Sequence, residues 1–259
     1  MPEYAPGTPS WVDLSSPSPD ESAAFYGELM GWQATEPGAA EETGGYRMFQ
    51  QEGQNVGGLM AQMQDGQPTA WATYISVADA DETAEKVTAA GGSIVVEPMD
   101  VMDIGRLAVF SDPTGAVFGV WQPKSFAGAD LVNEPNSLCW NEVLTRDAEA
   151  NKAFYPAVFG WAPGRAAFEG APESYTVWEL DSKPVGGMMQ MTDDYFPPEV
   201  PPHWSVCFAV ADCDAIVAKA RELGATIMQE PMDMPIGRFA GVIDPEGASF
   251  TVMQPASAS

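Results

Sequence analysis

Residues 25–32 read FYGELMGW and residues 154–161 read FYPAVFGW, so a Phe-Tyr pair and a Gly-Trp pair in the first half of the chain recur in the second. Other residues recur at the same separation along the chain: Trp11 as Trp140, Tyr46 as Tyr175, and Val56-Gly57-Gly58 as Val185-Gly186-Gly187. Self-similarity at a fixed separation indicates a duplicated structural unit. The sequence therefore predicts two copies of one domain.

The match continues beyond these residues with two small changes of spacing. Glu97-Pro98-Met99-Asp100 recurs at positions 230–233, at a slightly longer separation, and Asp112-Pro113 recurs as Asp244-Pro245 after a small deletion. The longer separation comes from extra residues in the second copy, which fall in the proline-rich stretch 196–202. Loops tolerate such insertions because the packed core is left unchanged.

A short segment of small and polar residues joins the two copies at 125–136, and such composition is typical of linkers. Each copy is predicted to contain two βαβββ modules. The predicted limits are 1–124 for the first domain, with modules at about 8–64 and 69–124, and 137–259 for the second, with modules at about 137–193 and 202–256.

Local patterns predict the elements of each module and an α+β fold. Asp20 is the expected N-cap of a helix that ends at Met30 before Gly31. A second helix is expected at 81–90 and its copy at 214–223, from apolar residues at helical spacing. Strands are expected in the first half at 11–14, 46–50, 56–62, 71–77, 93–97, 106–111 and 116–121.

The composition limits the partners and the compartment that we expect. With 37 acidic and 11 basic residues, the net charge is -26, which disfavours binding to nucleic acid or to an anionic membrane surface. The three cysteines form no CxxC motif, so we expect free thiols in a reducing cytoplasm. No secretory signal or membrane-spanning run is predicted. We expect a monomer or a homodimer.

Three features, in the same order in both halves, resemble the vicinal-oxygen-chelate superfamily of glyoxalases, bleomycin-resistance proteins and dioxygenases. They are the opening helix that ends in Phe-Tyr and Gly-Trp, the strand that enters a helix at Val77-Ala78-Asp79, and the closing hairpin at Asp112-Pro113-Thr114-Gly115. The resemblance covers nearly the whole chain and is closest to a two-domain actinobacterial group. It implies that paired modules form a cupped, eight-stranded mixed sheet around a cavity.

Metal-using members of that superfamily hold a divalent ion in the cup with two His and two Glu side chains. The first-strand His position falls here on Trp11 and Trp140, the second on Ala72 and Ser205, and the final Glu position on Gly119 and Thr251. Segments 56–60 and 185–189 supply no ligand either. We therefore expect no metal and no cofactor. The single histidine, His203, is expected to be an ordinary loop residue, the alternative being a general base.

Aromatic and methionine side chains are expected to line the cups instead. Trp11 and Trp140 occupy ligand positions that point inward, and Trp121 lies on the same face by strand alternation. Met60 and Met189 follow the Gly-Gly pairs. Such a lining suits a flat or hydrophobic ligand, and the alternative is that these residues fill the core.

Four charged residues are candidates for the chemistry of the cups. Asp13 and Glu142 correspond in the two copies and share a strand face with Trp11 and Trp140, so each is a candidate general base. The alternative is that each carboxylate only accepts backbone hydrogen bonds. Arg106 and Arg238 also correspond, and they either anchor an anionic ligand or form an ion pair that braces a turn.

The sequence is compatible with three functions. The first is a metal-free protein that binds a hydrophobic or aromatic small molecule, for sequestration of a metabolite or drug. The second is a metal-independent isomerase, lyase or cyclase that uses a carboxylate base. The third is a metal-dependent glyoxalase or dioxygenase, which the missing ligands oppose.

Overall fold

The described residues of the computed structural model, 3–39, 43–64, 66–165, 174–194 and 196–256, form two eight-stranded mixed sheets. The first sheet contains the strands of residues 9–123 and the second those of residues 137–255. The predicted α+β fold of two tandem cupped domains is confirmed. Residues 1–2 and 257–259, at the ends of the predicted domain limits, lie outside the described residues.

The first half contains eight strands and two helices within the described ranges. In chain order they are β1 (Pro9–Ser16), α1 (Pro19–Met30), β2 (Gln33–Ala34), β3 (Arg47–Gln51), β4 (Gln54–Ala61), β5 (Ala70–Ser76), α2 (Ala80–Ala89), β6 (Ser93–Val101), β7 (Gly105–Ser111) and β8 (Val117–Pro123).

The second half repeats this order. Its elements are β9 (Ser137–Thr145), α3 (Ala148–Phe159), β10 (Ala162–Arg165), β11 (Tyr175–Leu180), β12 (Lys183–Gln190), β13 (His203–Ala209), α4 (Cys213–Glu222), β14 (Thr226–Met234), β15 (Gly237–Ile243) and β16 (Ser249–Pro255). None of the helices in the described ranges is long and apolar enough to cross a membrane.

The helix ends follow capping rules, with one correction. Gly31 and Gly160 end α1 and α3 in the left-handed conformation, at φ of 73° and 71°. The side chain of Asp147 caps α3 by accepting from the amide of Ala150. Asp20 was the wrong N-cap for α1, because Ser18 takes that position and Asp20 lies in the first turn, where it binds Arg47.

The two modules of each half meet through their first strands. The order of the first sheet is β2-β3-β4-β1-β5-β8-β7-β6, with β1 antiparallel to β5 and parallel to β4. The second sheet has the equivalent order, β10-β11-β12-β9-β13-β16-β15-β14. This arrangement brings β1, β4, β5 and β8 side by side in the middle of the sheet, where side chains on one face converge.

The two halves share their hydrophobic cores rather than having one each. One core joins Phe25 and Trp32 of the first module to Phe208 and Phe250 of the fourth. The other joins the second module to the third, with Phe118 packing against Phe154 at a ring distance of 6.1 Å. The concave faces of both sheets are consequently turned away from these cores.

The Asp-Pro hairpin turns connect the two halves. Asp112 accepts from two backbone amides of its own turn, Thr114 and Ala116. Its other oxygen accepts from Nδ2 of Asn151 at 3.1 Å and from the hydroxyl of Tyr155 at 2.9 Å, both on α3. In the second half Asp244 accepts from Tyr26 of α1 at 2.9 Å. Each turn thus fixes a helix of the other half.

Candidate functional site: two cups

Strand alternation divides the side chains of β1 between the core and the concave face. Val12 and Leu14 join the hydrophobic core, whereas Trp11 and Asp13 line the cavity on the opposite face. We call this concave face of the first sheet the first cup, and the corresponding face around Trp140 and Glu142 the second cup. The cups belong to one cavity of about 2830 Å³.

A chain of hydrogen bonds runs across the floor of the first cup. Nε1 of Trp11 donates to the hydroxyl of Tyr46 at 2.9 Å, and this hydroxyl donates to Oδ2 of Asp13 at 3.2 Å. Tyr74 lies beside the same carboxylate. Trp11 and Asp13 are each only 5% exposed. The carboxylate is therefore held between two tyrosines at the bottom of the cup.

Two glycines make room for these tyrosines. A Cβ at Gly58 would overlap the hydroxyl of Tyr46, and a Cβ at Gly119 would overlap the ring of Tyr74. Gly119 pairs with Tyr74 across β5 and β8, and it is the position where the resemblance described above implies the final Glu ligand of metal-using members. An aromatic ring thus takes the space that a metal-ligating side chain would need.

Burial dominates the electrostatics of Asp13. Removal from water disfavours the charged carboxylate and raises the pKa of Asp13 from its usual value of 3.8 to about 6, although the hydroxyls of Tyr46 and Tyr74 act in the opposite direction. A carboxyl group with this pKa is ionised at neutral pH and is a stronger base than an exposed aspartate. A raised pKa of this size makes a carboxylate more basic at neutral pH.

Aromatic rings cover the first cup from the side of the linker. Phe126 makes an edge contact with Trp11 at a centroid distance of 5.0 Å and another with Trp121 at 6.0 Å. Nε1 of Trp121 donates to the carbonyl oxygen of Phe126 at 2.7 Å. The linker residue therefore packs between two tryptophans that face the cavity, and it shields Trp11 from solvent.

The second cup repeats the floor of the first but is more open. Nε1 of Trp140 donates to the hydroxyl of Tyr175 at 2.8 Å, and this hydroxyl donates to Oε2 of Glu142 at 2.8 Å. All three side chains are half-buried. Burial raises the pKa of Glu142, and the bond from Tyr175 opposes this effect. Cys207 occupies the position that Tyr74 has in the first cup.

A pair of thiols adds a chemical difference between the cups. Sγ of Cys139 lies 3.7 Å from Sγ of Cys207, and both residues line the second cup. The neighbouring thiol and burial raise the pKa of Cys207, so this thiol stays protonated at neutral pH. The predicted free state of the cysteines agrees with the structure.

The proline-rich insertion forms part of the wall of the second cup. Arg146 holds this segment by donating to the carbonyl oxygens of Pro197 and Val200, at 2.7 and 3.2 Å. His203 follows the insertion at the start of β13, lines the cavity, and lies 2.8 Å through Nδ1 from the carbonyl oxygen of Pro201. Burial lowers its pKa.

The sequence-predicted ligand-binding residues divide into two groups. Trp11, Trp140, Trp121, Met60 and Met189 all line the cavity.

The other two candidates, Arg106 and Arg238, do not line the cavity. Arg106 forms a two-pronged ion pair with Asp81, at 2.9 Å for each bond, and Arg238 binds Asp214 and Asp233. The structure shows the ion-pair alternative, and the alternative of a ligand anchor is corrected, because neither arginine lines the cavity. Even-numbered residues of β7 face the helices, as buried Ala108 and Phe110 show, so Arg106 reaches the start of α2 instead.

The residues at the expected metal positions do not fit a metal ion. The first cup offers Trp11, Ala72 and Gly119 there, and the second offers Trp140, Ser205 and Thr251. Across the described ranges, no group of three or more His, Cys, Asp or Glu side chains is arranged to hold an ion. No ligand set for a divalent cation can be assembled from these donors.

Sequence reasoning missed several residues of the site. Tyr46 and Tyr175 recur at the separation that Trp11 and Trp140 share, and this repeat was the available signal for their role on the floor of the cups. Tyr74, Phe126 and the two thiols carry no such signal, because each occurs in only one cup. Their contribution depends on which strands are neighbours in the sheet.

Comparison with known proteins agrees with this architecture. The family model of the Glyoxalase/Bleomycin resistance protein/Dioxygenase superfamily matches residues 8–120 and 138–252. The chain is 40% identical to the anthracycline biosynthesis protein DnrV of Streptomyces peucetius, over 98% of this chain and 95% of that protein. It is 39% identical to the putative glyoxylase CFP32 of Mycobacterium bovis, over 98% and 97%.

A solved structure has the same fold although its sequence identity to this chain is low. The 2,3-dioxygenase LapB of Pseudomonas sp. KL28 superposes with a TM-score of 0.66 and 12% identity, covering 98% of this chain and 94% of that chain. The resemblance read from the repeated motifs is confirmed. The chain belongs to the Glyoxalase/Bleomycin resistance protein/Dioxygenase superfamily.

Proposed function

We propose that the protein binds an apolar or aromatic small molecule in its cups without a metal ion. The observation that carries this proposal is the replacement of metal-ligating residues by an aromatic floor, in which Trp11, Tyr46 and Tyr74 surround Asp13. Concave, largely apolar sites with a few fixed polar groups are typical of small-molecule binding.

The side chains around each cup favour a flat ligand. Indole and phenol rings offer stacking surfaces, and the thioethers of Met60 and Met189 adapt to irregular shapes. The relative DnrV is named for anthracycline biosynthesis, and anthracyclines are fused-ring aromatic compounds. A ligand of that chemical class matches the lining of the cups.

An apolar aromatic probe such as acridine is expected to quench tryptophan emission of the protein in a saturable manner. Trp140→Ala should weaken binding in the open second cup, and Trp11→Ala should do so in the first. Loss of one aromatic contact costs on the order of 1 kcal/mol beyond the area effect, which is roughly fivefold in affinity. The measurement is a fluorescence titration, repeated by calorimetry.

Trp178→Phe is the matched control, because Trp178 is fully buried in the core and lies outside the cavity lining. This variant should lose emission but keep the affinity of the wild type. If both cup variants bind as tightly as the control, the tryptophans only fill the core and the proposed site is wrong.

A second candidate function is metal-independent proton abstraction by Asp13, as in an isomerase, lyase or cyclase. The position of this carboxylate at the bottom of an apolar cup, with its pKa raised to about 6, favours this candidate. On this hypothesis turnover rises as pH increases through about 6, since the ionised form is the base.

Asp13→Asn is expected to abolish such turnover while ligand affinity is retained, with Glu142→Gln as the control in the other cup.

The pH dependence of protein stability gives an independent measure of the pKa of Asp13. Because folding raises the pKa of Asp13, the folded state binds more protons than the unfolded state between about pH 4 and 6. Wild-type stability therefore falls as pH rises through that window, and the variant should lack this component. Identical pH profiles of unfolding would contradict the raised pKa.

A further inference from the structure

We propose that the second cup selects aromatic ligands that carry a positive charge, with Glu142 as the counter-ion and the rings of Trp140 and Tyr175 as the stacking surface. This inference rests on the proposed binding function and names the chemical class of the ligand. It is carried by the surroundings of Glu142, by the access to the cup, and by the charge of the whole chain.

The carboxylate of Glu142 has a hydrogen-bond donor but no cation beside it. Tyr175 donates to Oε2 at 2.8 Å, and within the described residues no Lys, Arg or His nitrogen lies within 4.0 Å of either oxygen. A carboxylate in apolar surroundings is costly unless it is paired or neutralised. A cationic ligand would supply the missing charge.

The groups facing Glu142 from the neighbouring strands leave the site electrically negative. Tyr175 comes from β11, and Cys207 from β13 stays neutral at physiological pH. Further along the cavity wall are His203 on β13, whose pKa is lowered, Glu179 on β11 and Arg165 at the end of β10. Arg165 is exposed at the sheet edge, and among the described residues it forms no ion pair with Glu142. The floor of the cup is therefore anionic.

The aromatic residues beside Glu142 suit the same ligand. Trp140 and Tyr175 are joined by a hydrogen bond of 2.8 Å, which fixes both rings next to the carboxylate. A cation close to the face of such a ring is attracted by its quadrupole, and this attraction increases when water is excluded. A planar ligand with a charged amine satisfies the rings and the carboxylate together.

The floor of the second cup is more accessible to solvent and to ligands than the floor of the first. Trp140, Tyr175 and Glu142 are half-buried, whereas Trp11 and Asp13 are buried and Phe126 packs on Trp11. Asp13 also has two tyrosines beside it. The formal charge of -26 attracts cations to the whole surface, and the cup concentrates this effect at one carboxylate.

The test compares two probes of one shape: 9-aminoacridine, a cation at mildly alkaline pH, and acridine, which is neutral there. Calorimetric titration of the full chain should show at least about tenfold tighter binding of the cation, since hydrogen bonds to charged groups are the stronger kind. Glu142→Gln should remove this preference, so that 9-aminoacridine binds no more tightly than acridine does. Glu222→Gln removes the same unit of charge at an exposed residue of α4 outside the cavity lining, and it should retain the preference.

Each other outcome has a definite meaning. If the cation preference persists in Glu142→Gln, or if both probes bind the wild type equally, this inference is wrong while the binding function stands. If the two variants lose the preference equally, the attraction belongs to the net charge and the inference also fails. If neither probe binds the folded wild type, the proposed function itself fails. Circular dichroism and thermal unfolding confirm that both variants are folded.

Discussion

Asp112→Ala is expected to lower the free energy of unfolding by about 3–5 kcal/mol, the largest stability effect of any substitution considered for this chain. Asp112 is buried, and it accepts from Asn151 and Tyr155 of the other half. The substitution leaves two buried donors without partners and also removes the turn bonds to Thr114 and Ala116. Chemical denaturation measures the loss.

Asp244→Ala is the control for this prediction at the equivalent turn. Among the described residues, its carboxylate accepts from one residue of the other half, Tyr26, and from the amides of Glu246 and Ala248 in its own turn. The expected loss is therefore smaller than for Asp112→Ala. A loss below about 1 kcal/mol for Asp112→Ala would mean that the turn carboxylates do not hold the two halves together.

Gly58→Ala is expected to destabilise the protein by about 1–3 kcal/mol and to disrupt the floor of the first cup. The added Cβ would overlap the hydroxyl of Tyr46, which must then leave its bonds to Trp11 and Asp13. Tyr46→Phe removes the hydroxyl without adding an atom and should cost less. Denaturation and the tryptophan emission spectrum report the two effects.

Gly57→Ala, at the neighbouring residue of β4, is the control for this prediction. It measures the general effect of replacing glycine in this strand without the overlap with Tyr46. A Cβ there would lie 3.3 Å from the carbonyl oxygen of Val12 and 3.4 Å from the ring of Trp71, which is tight but tolerable. If both variants lose the same stability, the position of Tyr46 is not the cause.

Much of the fold could be predicted because the duplication displays each signal twice. The Phe-Tyr and Gly-Trp pairs located α1 and α3, and the Asp-Pro turns located the closing hairpins. β2 was missed because two residues carry no periodicity. β6 was ended too early, at Glu97, because Pro98 interrupts the pattern; an edge strand with irregular pairing to β7 tolerates this proline.

The candidate site was only partly predictable. Alternation along β1 placed Trp11 and Asp13 on the concave face. The same rule applied to β7 places Arg106 on the face of buried Ala108 and Phe110, away from the cup. It gives no information on Phe126, which returns from the linker to cover the first cup. The sharing of the hydrophobic cores between the two halves could not be predicted from the sequence either. It depends on how the two sheets pack together and not on the sequence of either repeat.

The most direct test of metal-free ligand binding combines elemental analysis with a ligand titration on the same untagged protein, before and after treatment with a chelator. We expect less than stoichiometric Zn, Ni, Fe, Mn and Mg, and an affinity for acridine that the chelator leaves unchanged, since no donor set in the described part of the cups fits such an ion. One tightly bound ion per chain, whose removal abolishes acridine binding, would contradict the account.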